Sequence, residues 1–179
     1  ALQRWGAPTS YVGSFGDDPL AAIARDSLVA EGRALRGSLV RTGVPNQLAV
    51  ILVDASSGER TVLMHRAAAL TIAPHELDAA VVTSGRVLHL DGYDLEAAIA
   101  AARLARAAGI PVVVDVDTAT GPVERLFALA DAVIVSEELA LAVTGTNDRT
   151  AALDGLARLS AAPVVAITLG VDGVGARDA

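Results

Sequence analysis

Short apolar runs alternate with alanine- and leucine-rich stretches through the second half of the chain. Residues 87–90 are an apolar run, and residues 95–108 read as a helix that Gly109 closes and Pro111 prevents from continuing. Val112, Val113 and Val114 are consecutive β-branched residues, the pattern of a strand buried on both faces of a parallel sheet. A helix over 123–129, opened by Pro122, precedes a strand over 132–135. Helices over 137–143, closed by Thr144 and Gly145, and over 147–160 come next, and a strand over 164–167 follows Pro163. Strands joined by helices predict an α/β layered fold with right-handed crossovers.

The first half has a different rhythm. Residues 10–14 read as a strand and residues 19–31 as a helix ended by Gly32. Three further strands are predicted over 38–42, 48–54 and 60–65 with no helix between them, and Ser56-Ser57-Gly58 marks a hairpin turn. Residues 37–68 are therefore expected to form a small antiparallel sheet inserted into the α/β layer, suited to a lid over a site or to a contact between subunits. No internal repeat is evident.

Composition narrows the chemistry. The chain has 179 residues, no cysteine and 14 basic residues, every one of them arginine. Disulfides, thiol nucleophiles and thiolate zinc sites are excluded, as are a P-loop lysine and Schiff-base chemistry. A phosphate would have to be held by backbone N–H groups, arginine or a metal. The net charge of −7 opposes a nucleic-acid surface. No apolar run reaches the span of about 18 residues that a membrane helix needs, and no basic-then-apolar leader is present. The expectation is a soluble, cytoplasmic protein that binds neither nucleic acid nor membrane.

In parallel α/β sheets ligands bind beyond the carboxyl ends of the strands. Those ends here are Asp91-Gly92, Asp115-Val116-Asp117, Ser136-Glu137-Glu138 and Thr168-Leu169-Gly170-Val171-Asp172-Gly173. Four strands deliver small polar, acidic or glycine residues to one edge. Each feature also has a structural explanation: Ser136 as a helix N-cap, Asp115 or Asp117 as acceptors for loop N–H groups, Asp91-Gly92 as a turn. His65, His75 and His89 lack metal-ligand spacing and receive no role. No nucleophile elbow or acid/base pair of carboxylates is present. A nicotinamide-dependent dehydrogenase is disfavoured, because Val12-Gly13-Ser14-Phe15-Gly16-Asp17-Asp18 lacks the three-glycine spacing and puts two aspartates where a pyrophosphate would lie.

Residues 5–32, WGAPTSYVGSFGDDPLAAIARDSLVAEG, resemble the early segment of the PfkB (ribokinase-like) carbohydrate kinases, where a strand ending V-G-x-x-G-x-D leads into a helix ended by glycine. Residues 47–66, with Ser57-Gly58-Glu59-Arg60-Thr61, resemble that family's lid strands. Residues 87–92, 112–117, 131–145 and 164–173 follow in family order, the last (A-I-T-L-G-V-D-G over 166–173) being similar to its T-x-G-x-x-G nucleotide loop. The resemblance spans nearly the whole chain. It implies a ribokinase-like three-layer α/β sandwich with a mostly parallel sheet and a β lid over 37–68.

The resemblance further implies ATP- and Mg²⁺-dependent phosphorylation of a hydroxyl on a sugar or nucleoside. By motif position, Ser136, Thr168, Gly170 and Gly173 are expected at the nucleotide, Asp91 and Arg60 at the substrate, and Glu137 and Asp117 at the metal. A homodimer through the lid is also a family expectation. The family's G-A-G-D base and G-G-x-x-x-N substrate stretch are absent from these residues, so the base is expected beyond Ala179 and the 179 residues are read as a partial kinase domain. Ser136-Glu137-Glu138-Leu139 stands where the family has N-x-x-E, and Asp115-Val116-Asp117-Thr118-Ala119 lacks the family arginine. The first departure leans toward the ketohexokinase-like branch. The alternative is a sugar- or nucleotide-binding domain that kept the fold without the chemistry.

Overall fold

Asp18 and Pro19 start the first helix for local physical reasons. The Asp18 carboxylate accepts a hydrogen bond from the Ala21 N–H at 2.9 Å, and Pro19 occupies a first-turn position where no N–H is needed. A computed structural model describes residues 2–119 and 121–178, in two compact units that meet in sequence between Ile72 and Ala73.

In the first unit, helix α1 (Pro19–Ala30) connects β1 (Ser14–Phe15) to β2 (Leu39–Val40), and the two strands pair in parallel. This differs from the expected antiparallel sheet over 37–68. A helix between two adjacent strands carries the chain back to its starting end, so the second strand runs parallel to the first. The strand expected over 10–14 is also shorter; Ser10 makes only an isolated bridge to Ala34. The antiparallel element is the hairpin of β3 (Leu48–Val53) and β4 (Arg60–His65), in register from Leu48 opposite His65 to Val53 opposite Arg60. Its turn is nucleated by Asp54, which accepts the N–H groups of Ser56 and Ser57, each at 2.8 Å. Gly16 is needed at the foot of this unit, because a Cβ there would lie 2.3 Å from the Val44 carbonyl oxygen. Its N–H donates instead to buried Asn46 at 3.0 Å.

The second unit is a five-stranded sheet in the order β5-β6-β7-β8-β9. Strands β5 (Leu88–Leu90), β6 (Val112–Val116), β7 (Ala132–Ser136) and β8 (Val164–Thr168) are parallel, and β9 (Val174–Asp178) is antiparallel to β8. Four helices, α3 (Leu95–Ala107), α4 (Glu124–Phe127), α5 (Glu137–Thr144) and α6 (Arg149–Ser160), make the crossovers; a short helix α2 (Ala79–Val82) precedes β5. Because the parallel strands follow one another in sequence order, right-handed crossovers place all four helices on one face. The burial pattern agrees. Val112, Val114, Val116, Val133, Val135, Val165 and Ile167 are at most 2% exposed, together with Leu126, Phe127 and Leu156 beneath them. On the opposite face Val113 and Ile134 are only half-buried, and His89 and Asp115 are exposed.

Strand β9 has no counterpart among the sequence expectations. Only Val174 in V-G-A-R-D is β-branched, and its strand state comes from pairing with β8 rather than from its own propensity. Helix α4 is shorter than the expected 123–129, and α6 begins at Arg149 because Asp148 caps it through the Ala151 N–H at 2.7 Å. Among the described residues no helix is long and apolar enough to cross a membrane.

Candidate nucleotide-site edge

Three adjacent strands end together on the carboxyl edge of the second unit. Ser136, the last residue of β7, is in register with Thr168, the last residue of β8, and Asp117 directly follows β6. Side chains stitch these ends together. The Ser136 hydroxyl donates to the Asp117 carbonyl at 2.8 Å and accepts from the Leu139 N–H at 3.2 Å, which makes it the N-cap of α5. The Thr168 hydroxyl donates to the Val135 carbonyl at 3.3 Å. Both junctions among these three strand ends carry a side-chain hydrogen bond.

Beyond Thr168 the chain makes one turn of 3-10 helix at Gly170–Asp172 before entering β9. Gly170 has φ of 58° and Gly173 has φ of 91° with ψ of −127°, conformations that side chains with a Cβ resist. The turn closes on itself: Leu169 N–H donates to Gly173 O at 2.8 Å and Asp172 N–H to Leu169 O at 3.1 Å. The N–H groups of Gly170 and Val171, first in the turn, have no carbonyl within it. Such open donors after a strand suit an anion.

Arg149, in the first turn of α6, was not anticipated. Its guanidinium grips both oxygens of Glu137, at 2.6 and 3.0 Å, and reaches Asp172 at 3.1 Å. Hydrogen bonding to Glu137 first, and to Asp172 second, raises the guanidinium above its ordinary value. One signal for it was present in the sequence. A cation at a helix N-terminus is opposed by the helix dipole, so an arginine directly after an Asp148 cap calls for carboxylate partners.

The expected site residues therefore divide. Asp117, Ser136, Glu137, Thr168, Gly170 and Gly173 share the one edge. Asp91 directly follows β5, at the same end of the sheet, with a carboxylate oxygen accepting from the Tyr93 N–H at 3.0 Å. Arg60 lies in the first unit, exposed at the start of β4. The Asp117 carboxylate is exposed and makes no hydrogen bond or ion pair among the described residues, whereas Glu137 is fully engaged by Arg149. No group of three or more metal-ligating side chains occurs among the described residues.

The chain is 26% identical over 158 residues to the bifunctional ribokinase/ribose-5-phosphate isomerase A of Fructilactobacillus sanfranciscensis, covering 86% of this chain and 29% of that protein. It is 26% identical over 165 residues to the probable fructokinase-4 of Arabidopsis thaliana, covering 82% of this chain and 50% of that protein. The chain thus spans half or less of the length of these relatives. A putative ribokinase II from E. coli, solved in complex with ATP and Mg²⁺, superposes with a TM-score of 0.82 at 18% identity, covering 99% of this chain and 62% of that one. The fold is that of the ribokinase-like kinases, α/β with a mostly parallel sheet. Residues 1–178 match the description of the pfkB family carbohydrate kinases, and the chain belongs to that family.

Proposed function

We propose that these residues form the nucleotide-side portion of an ATP-dependent kinase that phosphorylates a hydroxyl on a sugar or nucleoside. The observation carrying this reading is the convergence of Asp117, Ser136, Thr168 and the Gly170–Gly173 turn at three adjacent strand ends. In the transfer, the substrate oxygen bonds to the γ-phosphorus, the bond to the β–γ bridging oxygen breaks, ADP leaves, and the hydroxyl proton passes to a base. Catalysis of this kind is largely positioning and charge stabilisation. Here the turn's open amides would face the phosphates, and Asp91, with one oxygen held by the Tyr93 N–H, would orient a substrate hydroxyl. The resemblance assigns the base to a G-A-G-D motif that is not among these residues.

Magnesium fits this edge as an ion carried mainly by phosphate oxygens and water, a mode that needs only one or two carboxylates. Among the described residues the Asp117 carboxylate makes no hydrogen bond or ion pair, and Glu137 shares its two oxygens with Arg149. Bound Mg²⁺ would neutralise charge building on the transferred phosphoryl group. The apolar hairpin of the first unit we assign to a contact with a second copy of the chain. The cytoplasm, where ATP is plentiful, is the compartment this reading favours.

The decisive experiment measures ADP release by the product of the intact reading frame against a panel of sugars and nucleosides. Release with one of them, and none from residues 1–179 alone, is the expected result. ATP or sugar binding with no turnover across the panel would favour a binding domain of the same fold.

A further inference from the structure

The Gly170–Gly173 turn has few constraints of its own. Its internal hydrogen bonds are all backbone, Val171 is fully exposed, and glycine stands at both ends. Glycine is the residue with most conformational freedom to lose. Among the described residues, one side-chain hydrogen bond connects this turn to another element: Asp172 to Arg149 at 3.1 Å. The same guanidinium holds Glu137, the first residue of α5, through two nitrogens. A planar guanidinium fixes the relative position of its partners in a way a lysine ammonium does not. Arg149 stands where the α6 dipole disfavours a cation, so its partners, not the helix, account for the residue.

We propose that Arg149 is a positioning residue: it clamps the 170–173 turn to the start of α5 through Asp172 and Glu137, and so holds the Gly170 and Val171 amides in the orientation a phosphate would meet. The clamp is a property of the fold; its consequence for nucleotide rests on the kinase reading above. In this arrangement the arginine acts through Asp172 and does not itself touch the phosphates. Glu137 is the anchor for the arginine.

The test uses amide hydrogen exchange across residues 169–174 without nucleotide, and calorimetric titration with ATP in the presence of Mg²⁺. Arg149→Gln and Asp172→Ala should each speed exchange in the turn about tenfold while leaving β6 and β7 unchanged. Each should weaken ATP binding about five- to tenfold, because the turn must then be ordered on binding. The double variant should be no weaker than the worse single variant, as expected for two residues acting as one unit. Arg149→Lys, which keeps the charge but not the fork, should not restore affinity. Unchanged exchange in Arg149→Gln would overturn the clamp. So would full ATP affinity in both Arg149→Lys and Asp172→Ala alongside a loss in Arg149→Gln, since that pattern marks direct charge contact with phosphate. If the unsubstituted chain takes up no ATP but Arg149→Gln still loosens the turn, the clamp stands and the nucleotide reading fails.

Discussion

Strands β3 and β6 have similar apolar sequences and opposite surroundings. In β3, L-A-V-I-L-V, every residue is exposed, and its partner β4 is exposed throughout as well. In β6, V-V-V-D-V, alternate valines are essentially inaccessible while Val113 is half-buried and Asp115 exposed. The difference lies in what each strand has beside it. A crossover helix follows β5, β6 and β7 in turn and lays a helical layer on one face of the sheet, whereas a two-stranded ribbon closed by Asp54 brings no helix with it. Two-stranded hairpins are at best marginally stable alone in water, and exposed apolar surface of this kind marks an interaction site. An apolar run thus reports the need for burial without naming the cover.

The sharpest way to break this contrast is paired truncation. Phe127, fully buried under the sheet, should cost about 3–5 kcal/mol when replaced by alanine, and Ile51→Ala in the hairpin should stay within about 0.5 kcal/mol. Chemical denaturation followed by circular dichroism at low protein concentration reads both. Equal losses would mean that the hairpin is packed and that the two strands are alike after all. The next largest effect concerns association. Replacing Ile51 and Leu63, 56% and 57% exposed, by aspartate should convert a dimer into a monomer in light scattering while leaving the melting of the second unit unchanged. A monomeric unsubstituted chain across micromolar concentrations would remove the second copy as the hairpin's cover.

The same contrast explains what the sequence made legible. Most elements of the second unit are readable because their signals are local: Gly109 and Gly145 adopt positive φ after α3 and α5, and β6, β7 and β8 are rich in β-branched residues. The positions of Ser136, Thr168 and Asp117 on one edge follow from their place at the carboxyl ends of the strands. Pairing partners were less legible. Leu39 and Val40 read as part of the small antiparallel sheet over 37–68, yet they pair in parallel with β1, because the α1 crossover, and not proximity in sequence, decides their neighbour. Strand β9 carries almost no strand propensity and exists through β8. Arg149 was overlooked for a related reason: its partners are 12 and 23 residues away, on elements that only the folded sheet brings together.

Smaller effects test the local devices on each side of the comparison. Ser136→Ala removes the cap of α5 and the tie to Asp117, and should cost about 1 kcal/mol, measurable as a lower denaturation midpoint. A full cost near zero would show that the strand ends are held by the sheet alone.

The smallest expected effect belongs to the hairpin turn. Hydrogen bonds from the Ser56 hydroxyl and from the N–H groups of Ser57 and Ser56 hold the Asp54 carboxyl well below the usual carboxylate range. A carboxylate with a depressed folded pKa stabilises the turn above its ordinary value, about 4, and loses that contribution as pH falls toward the depressed one. The Ser56 and Ser57 amide resonances should therefore hold their hairpin shifts from pH 7 to below pH 4 and move only in stronger acid. In Asp54→Ala they should be displaced from the hairpin shifts at every pH while the resonances of β6 and β7 stay in place. If acid moves the turn amides of the unsubstituted chain near pH 4, the carboxylate is free in solution, and the hairpin owes its register to apolar pairing across β3 and β4 instead.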